Sequence, residues 1–119
     1  MKIKTSELTG SALDWAVAQC EGVAQYQWDW YVQTCAREEV PENMPHCYAY
    51  SSQWSAGGPI IERERIRLSA GDLASGDFSW AAFTDIDPIV LGHTPLIAAM
   101  RCYVALKLGD AVEVPEELK

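Results

Sequence analysis

The chain has 119 residues, 49% of them hydrophobic and 22% charged, with a formal net charge of −8. That length accommodates one hydrophobic core rather than two, and no apolar run approaches the roughly 20 residues of a membrane span. The acidic balance argues against sequence-independent nucleic-acid binding, which needs Lys and Arg to neutralise phosphates, and suits either solubility or a basic protein partner.

Lys2-Ile-Lys4 suits the start of a short strand, and the opening Met1-Lys-Ile-Lys-Thr-Ser-Glu7 lacks the apolar stretch of a secretory leader. Thr9 or Ser11 then suits the N-cap of a helix running to about Glu21, with Gly22 as its stop. Leu13, Ala16, Val17 and Cys20 form its apolar stripe, with Asp14 and Glu21 off that stripe. From Ala24 to Val32 the period changes to two. Ala24, Tyr26, Trp28, Trp30 and Val32 alternate with mostly polar neighbours, which predicts a half-buried strand.

The residues around 36–47 are rich in Glu and Pro and predict a mobile loop. Tyr48 to Tyr50 is a candidate short strand. Pro59 then suits the first position of a one- or two-turn helix, although the alternation from Ile60 to Arg65 would also suit a strand. The helix is favoured, giving way to a strand over Ile66 to Leu68. A polar turn from Gly71 to Asp77 and a strand from Phe78 to Thr84 complete a hairpin.

Thr94 is an N-cap, Pro95 an N1 residue, and Leu96 to Leu108 an apolar helix interrupted only by Arg101 and Lys107, with Gly109 closing it. Apolar nearly all round, this helix belongs in the centre of the fold. The tail from Val112 to Leu118 is expected to return along the surface, with Pro115 starting an acidic turn. Together these elements predict an α+β fold, residues 1–119 forming a single domain in which a small, mainly antiparallel sheet packs on two main helices.

Candidate chemistry is sparse. Cys20, Cys35, Cys47 and Cys102 contain no CxxC pair, and His46 and His93 add no standard ligand spacing, so no metal and no cofactor are expected. A thiol nucleophile would pair Cys35 or Cys47 with His46 or His93, yet no signature surrounds either. Glu62 and Glu64 alternate with Arg63 and Arg65, the pattern of a solvated, ion-paired face. Asp85-Ile-Asp-Pro88 reads as a turn.

The segment Tyr50 to Ile66 is the densest candidate. Gly57-Gly58 ahead of Pro59 and a helix start resembles in outline a phosphate-cradling turn, since N–H groups at a helix N-terminus attract anions. It lacks a P-loop Lys and the Rossmann glycine spacing. Trp54 offers an aromatic wall or, equally, a core plug. The expected ligand-binding residues are therefore Trp54, Gly57, Gly58, Pro59, Glu62, Arg63 and Tyr50, with no catalytic residue.

Three stretches, from Lys2 to Gly22, from Trp54 to Arg63, and Thr94-Pro-Leu-Ile-Ala-Ala-Met-Arg-Cys-Tyr-Val-Ala-Leu-Lys-Leu-Gly-Asp110, resemble the NinX-like family of small phage and prophage proteins. The segment from about Val23 to Cys47 matches it least. The resemblance implies a phage-encoded accessory protein in the bacterial cytoplasm and carries no catalytic residues across. Two readings follow: a non-catalytic binding protein for a small polar or nucleotide-like ligand, or an acidic interaction module that modulates a host protein.

Overall fold

The apolar segment after Thr94 forms the central helix of the protein. In the computed structural model, which describes residues 2–34, 48–72, 78–85 and 89–115, helix α4 spans Pro95–Leu108. The Thr94 hydroxyl caps it by accepting from the Ile97 N–H at 3.1 Å, which satisfies one of the donors a helix start leaves open. Leu96, Ala98, Ala99, Met100, Arg101, Cys102, Tyr103 and Val104 are all buried.

Helix α1 spans Gly10–Cys20. Thr9 is its N-cap by position, but its side chain makes no capping bond. Gly22 has φ +76° and ends the helix in a Schellman turn: the Val23 N–H donates to Ala18 O at 3.0 Å and the Gly22 N–H to Gln19 O at 3.2 Å. Leu13, Ala16 and Val17 are buried as the stripe predicts, but Asp14 is buried too. Its Oδ1 accepts from the Ser51 N–H at 2.8 Å, so the carboxylate organises a neighbouring turn instead of facing water.

Residues expected as a strand after Ala24 form helix α2, Gln25–Thr34. A strand would put Trp28 and Tyr31, three residues apart, on opposite faces; a helix puts them on one. Both are buried. Trp28 lies 5.4 Å from Tyr31, Tyr31 lies 5.3 Å from Tyr48, and Tyr48 stacks at 6.2 Å on Tyr50. Such offset and edge packing is what aromatic rings favour. Tyr26 and Trp30, expected to face inward with Trp28, point to solvent. A local signal marks the helix start: Gln27 Oε1 accepts from the Ala24 N–H at 3.0 Å, the return half of a capping box.

The 48–50 region is a turn rather than a strand, with the Gln53 N–H donating to Ala49 O at 2.9 Å. Helix α3 then spans Trp54–Glu64, so Gly57, Gly58 and Pro59 sit inside it, not ahead of it. Arg65 at φ 54° closes it, with the Ile66 N–H donating to Ile61 O at 3.1 Å.

Strand β1, Lys2–Lys4, pairs antiparallel with β5, Ala111–Glu113, in the register Ile3↔Val112. The start of the tail expected along the surface, up to Glu113, is therefore a paired strand, and Val112 and Val114 are buried; the acidic turn expected after Pro115 lies outside the described residues. Strands β2, Arg67–Asp72, and β3, Phe78–Phe83, pair antiparallel as expected, Arg67 opposite Phe83. A third strand, β4, Val90–Gly92, pairs with β3 through Ala81↔Leu91. Helix α4 touches all three of these strands as well as α1 and α3. The architecture is α+β. Expectations for the 36–47 loop, for the tip of the hairpin and for residues 86–88 lie outside the described residues.

Cys102 is buried, Cys20 is partly buried, and burial pushes both thiols up to about 11. Two units above the ordinary 9.0 lowers the neutral-pH thiolate fraction about a hundredfold. Cys102 should accordingly alkylate at least that much more slowly in native than in urea-unfolded protein, as read by peptide mass spectrometry. Comparable rates in the two states would contradict its burial.

Candidate functional site

Helix α3 divides the seven residues singled out in the sequence. Trp54, Gly58 and Glu62 are spaced four apart and lie on one stripe, with Trp54 55% exposed and Glu62 exposed. Pro59 is also exposed. Gly57 and Tyr50 face the interior. A Cβ at Gly57 would lie 2.5 Å from Tyr50 O and 2.7 Å from Leu96 Cδ2, so only glycine lets α3 approach α4 and the preceding turn. The Gly57 N–H donates to Gln53 O at 2.9 Å, leaving it no free donor for an anion.

Arg63 is engaged by the protein itself. Its Nη1 and Nη2 donate to the two carboxylate oxygens of Glu21 at 3.1 and 2.7 Å, and its Nε donates to Glu64 Oε2 at 2.9 Å. The Tyr103 hydroxyl donates to Glu21 Oε2 at 2.6 Å, and the guanidinium carbon lies 5.6 Å from the Tyr103 ring centre. This bidentate, ring-backed arrangement ties the C-terminal end of α1 to α3 and α4.

The cluster has a pH signature. Burial raises the Glu21 pKa, but hydrogen bonds from Arg63 and Tyr103 outweigh it and hold the carboxylate below its ordinary 4.5. A depressed carboxylate contributes stability above its unfolded pKa that is lost as pH falls through the folded value. Asp14 runs the other way, because burial outweighs its Ser51 hydrogen bonds and raises it above 3.8. The comparison with Glu21→Gln isolates the first effect. The mutant should be less stable near pH 7 by up to about 1 kcal/mol, given the exposed Arg63 side chain, and the gap should close toward pH 3. A gap independent of pH would contradict the pairing.

A sizeable cleft lies elsewhere. A partly open cleft of about 780 Å³ separates the β1 end from β4, with α4 beneath it. Lys4, Thr5 and Ser6 form one side, Ile89 to His93 the other, and Asp110 and Ala111 close an end. Arg101 and Ala105, one turn apart on α4, lie between. The walls are largely apolar, and two of their large side chains, Ile89 at 68% and Leu91 at 45% exposure, meet solvent. Gly92 places β4 against the helix: a Cβ there would fall 2.6 Å from Ala98 N.

Arg101 is only 8% exposed. Its Nε donates to Leu8 O at 2.7 Å and its Nη1 to Leu91 O at 2.9 Å. No carboxylate among the described residues lies within ion-pair distance of it, and Nη2 has no acceptor among them. Burial lowers its pKa from the ordinary 12.5, yet a guanidinium stays charged at neutral pH. A buried charge without a counterion is costly, and this one borders a cleft.

The family described as bacteriophage P22 NinX matches residues 4–107, most of the chain. The chain belongs to the NinX family. No curated protein is a match for it. The NinX match runs from the last residue of β1 to Lys107 near the end of α4 and so includes Lys4, Arg101 and Ala105 of the cleft as well as all of α3. None of the seven residues expected from sequence lines the cleft. Arg101 carried one legible signal, as the charge in the middle of a helix whose only other charge, Lys107, sits in its last turn. Among the described residues no three His, Cys, Asp or Glu side chains are placed to hold a metal, and no helix among them is long and apolar enough to cross a membrane.

Proposed function

We propose that this NinX protein is a non-catalytic phage accessory protein that works in the cytoplasm of the bacterial host and binds a small ligand in the cleft between β1, β4 and α4. The observation that carries this reading is the buried Arg101, with no carboxylate partner among the described residues, beside a cleft of about 780 Å³. That volume lies in the range of small-molecule sites, which combine apolar walls with a few placed polar groups. Trp54, Pro59 and Glu62, exposed on the outer side of α3, and the half-buried Gly58 lie outside this site and contact no ligand in it. A second reading, an acidic module covering a basic host protein, is favoured by the net charge of −8.

Thermal denaturation against a panel of metabolites tests the proposal. A ligand that binds only the folded state adds about 2.7 kcal/mol at one hundred times its Kd, a shift of several degrees for a domain of this size. Ala105→Leu, which places a larger side chain in the cleft, should abolish the shift without lowering the Tm of the free protein. A shift that survives Ala105→Leu would put the ligand elsewhere. No shift with any compound, together with salt-sensitive capture of one host protein, would favour the acidic module.

A further inference from the structure

We infer that the ligand of this cleft is a small monocarboxylate with an apolar body, its carboxylate held on the Arg101 guanidinium and its body between Leu91, Ile89 and Ala105. The inference rests on the cleft reading above and goes further by naming the chemical class.

Electrostatics sets the sign. Arg101 is a buried cation with no carboxylate among the described residues to balance it. Two of its three nitrogens hold the carbonyls of Leu8 and Leu91, which fixes the plane of the guanidinium before any ligand arrives. Nη2, with two N–H groups, is left for an acceptor. A ligand carboxylate would supply the missing negative charge and accept hydrogen bonds in the plane where guanidinium–carboxylate pairs are strongest. Because the group is already oriented, little side-chain entropy is lost on binding.

The surroundings limit the anion's charge. Arg101 is the buried cation of the cleft; Lys4 is the other strong base on its lining, and it is exposed. Asp110, on the same lining, repels a second negative charge. The hydroxyls of Thr5 and Ser79 are already donated, to Gly109 O at 2.6 Å and Gly92 O at 3.2 Å. The other donors on the lining, Ser6, His93 and Lys4, are exposed at its rim, so Arg101 is the buried donor that an anion would meet inside the cleft. A single carboxylate is matched by one guanidinium.

Shape sets the rest of the molecule. Ile89 and Leu91 present more apolar surface to water than strand residues of a covered sheet would, and Ala105 leaves room beside them on α4. An aliphatic or aromatic body seated there removes apolar area from water, the main source of affinity for such ligands.

Titration with hexanoate, hexanamide and hexyl phosphate at fixed ionic strength tests the inference. Binding is followed by calorimetry and by the Arg101 Nε–H resonance of the wild-type protein. Hexanoate should bind at least about tenfold more tightly than hexanamide, the ratio that one charge-assisted hydrogen bond supplies, and should move the Arg101 resonance. Arg101→Lys should weaken hexanoate by about tenfold and leave hexanamide unchanged, because an ammonium keeps the charge but loses the planar fork. If that variant does not fold, Ala105→Leu leaves Arg101 in place and should abolish binding of all three probes. Equal binding of hexanoate and hexanamide, both lost in Ala105→Leu, would overturn the carboxylate assignment and leave the cleft reading standing. Tighter binding of hexyl phosphate would overturn it in favour of a phosphate. Failure of all three probes to bind would overturn both.

Discussion

Val104→Asp is expected to yield no soluble, cooperatively folding protein. Val104 is fully buried in α4, the helix that touches all three strands of the larger sheet as well as α1 and α3. A carboxylate placed there has no partner and costs several kcal/mol, against a total stability of about 5–15 kcal/mol for a domain. Leu108→Asp, at the exposed end of the same helix, is the control and should fold with nearly the wild-type Tm. Soluble Val104→Asp protein with a sharp melt would show that α4 is not the centre of the core.

Gly57→Val and Gly58→Ala should move stability in opposite directions, although the two glycines are adjacent. At Gly57 the added Cβ meets a backbone carbonyl at 2.5 Å, an atom that cannot yield unless α3 lifts from the turn at Tyr50. Overpacking of this kind costs about 1–3 kcal/mol or more, and the two methyls that Val carries beyond Cβ add to it. At Gly58 the nearest atom is Trp54 Cε3 at 4.0 Å, an ordinary contact. Alanine there removes the entropic penalty of a mid-helix glycine and should add about 0.5–1 kcal/mol. Paired thermal melts decide the matter. Destabilisation by Gly58→Ala would mean that the pair does not sit inside a helix.

Those two glycines also show where sequence reasoning reaches its limit. Gly-Gly-Pro reads as a chain break because local propensity disfavours helix at all three positions. The structure uses Gly57 for close approach to Tyr50 and Leu96 instead, a reason that exists only once α4 and the Tyr50 turn are in place. Helix α2 was hidden by a different coincidence. Aromatic residues at alternate positions mimic a strand, while the spacing of Trp28 and Tyr31 becomes meaningful only beside Tyr48 and Tyr50. Helices α1 and α4 were legible because apolar periodicity, caps and stop glycine agreed. Strands β4 and β5 have three residues each and owe their state to distant partners.

The cleft was illegible for a similar reason. Its residues come from the end of β1 and the turn after it, from β3, from the segment around residue 90, from α4 and from the start of β5, segments that share no motif. Burial was also misjudged at Asp14, which stands off the apolar stripe yet is held inside by the Ser51 N–H. From the sequence Arg101 stood out only as an interruption of the apolar helix, and its meaning depends on there being no carboxylate beside it among the described residues.

A ligand is expected to enter the cleft and not the outer face of α3. Amide chemical-shift mapping of the wild-type protein with hexanoate tests this directly. Shift changes are expected at Ser6, Leu91, Arg101 and Ala105, with Trp54, Gly58 and Glu62 unmoved. Changes centred on Trp54, Gly58 and Glu62, with the cleft residues silent, would contradict it.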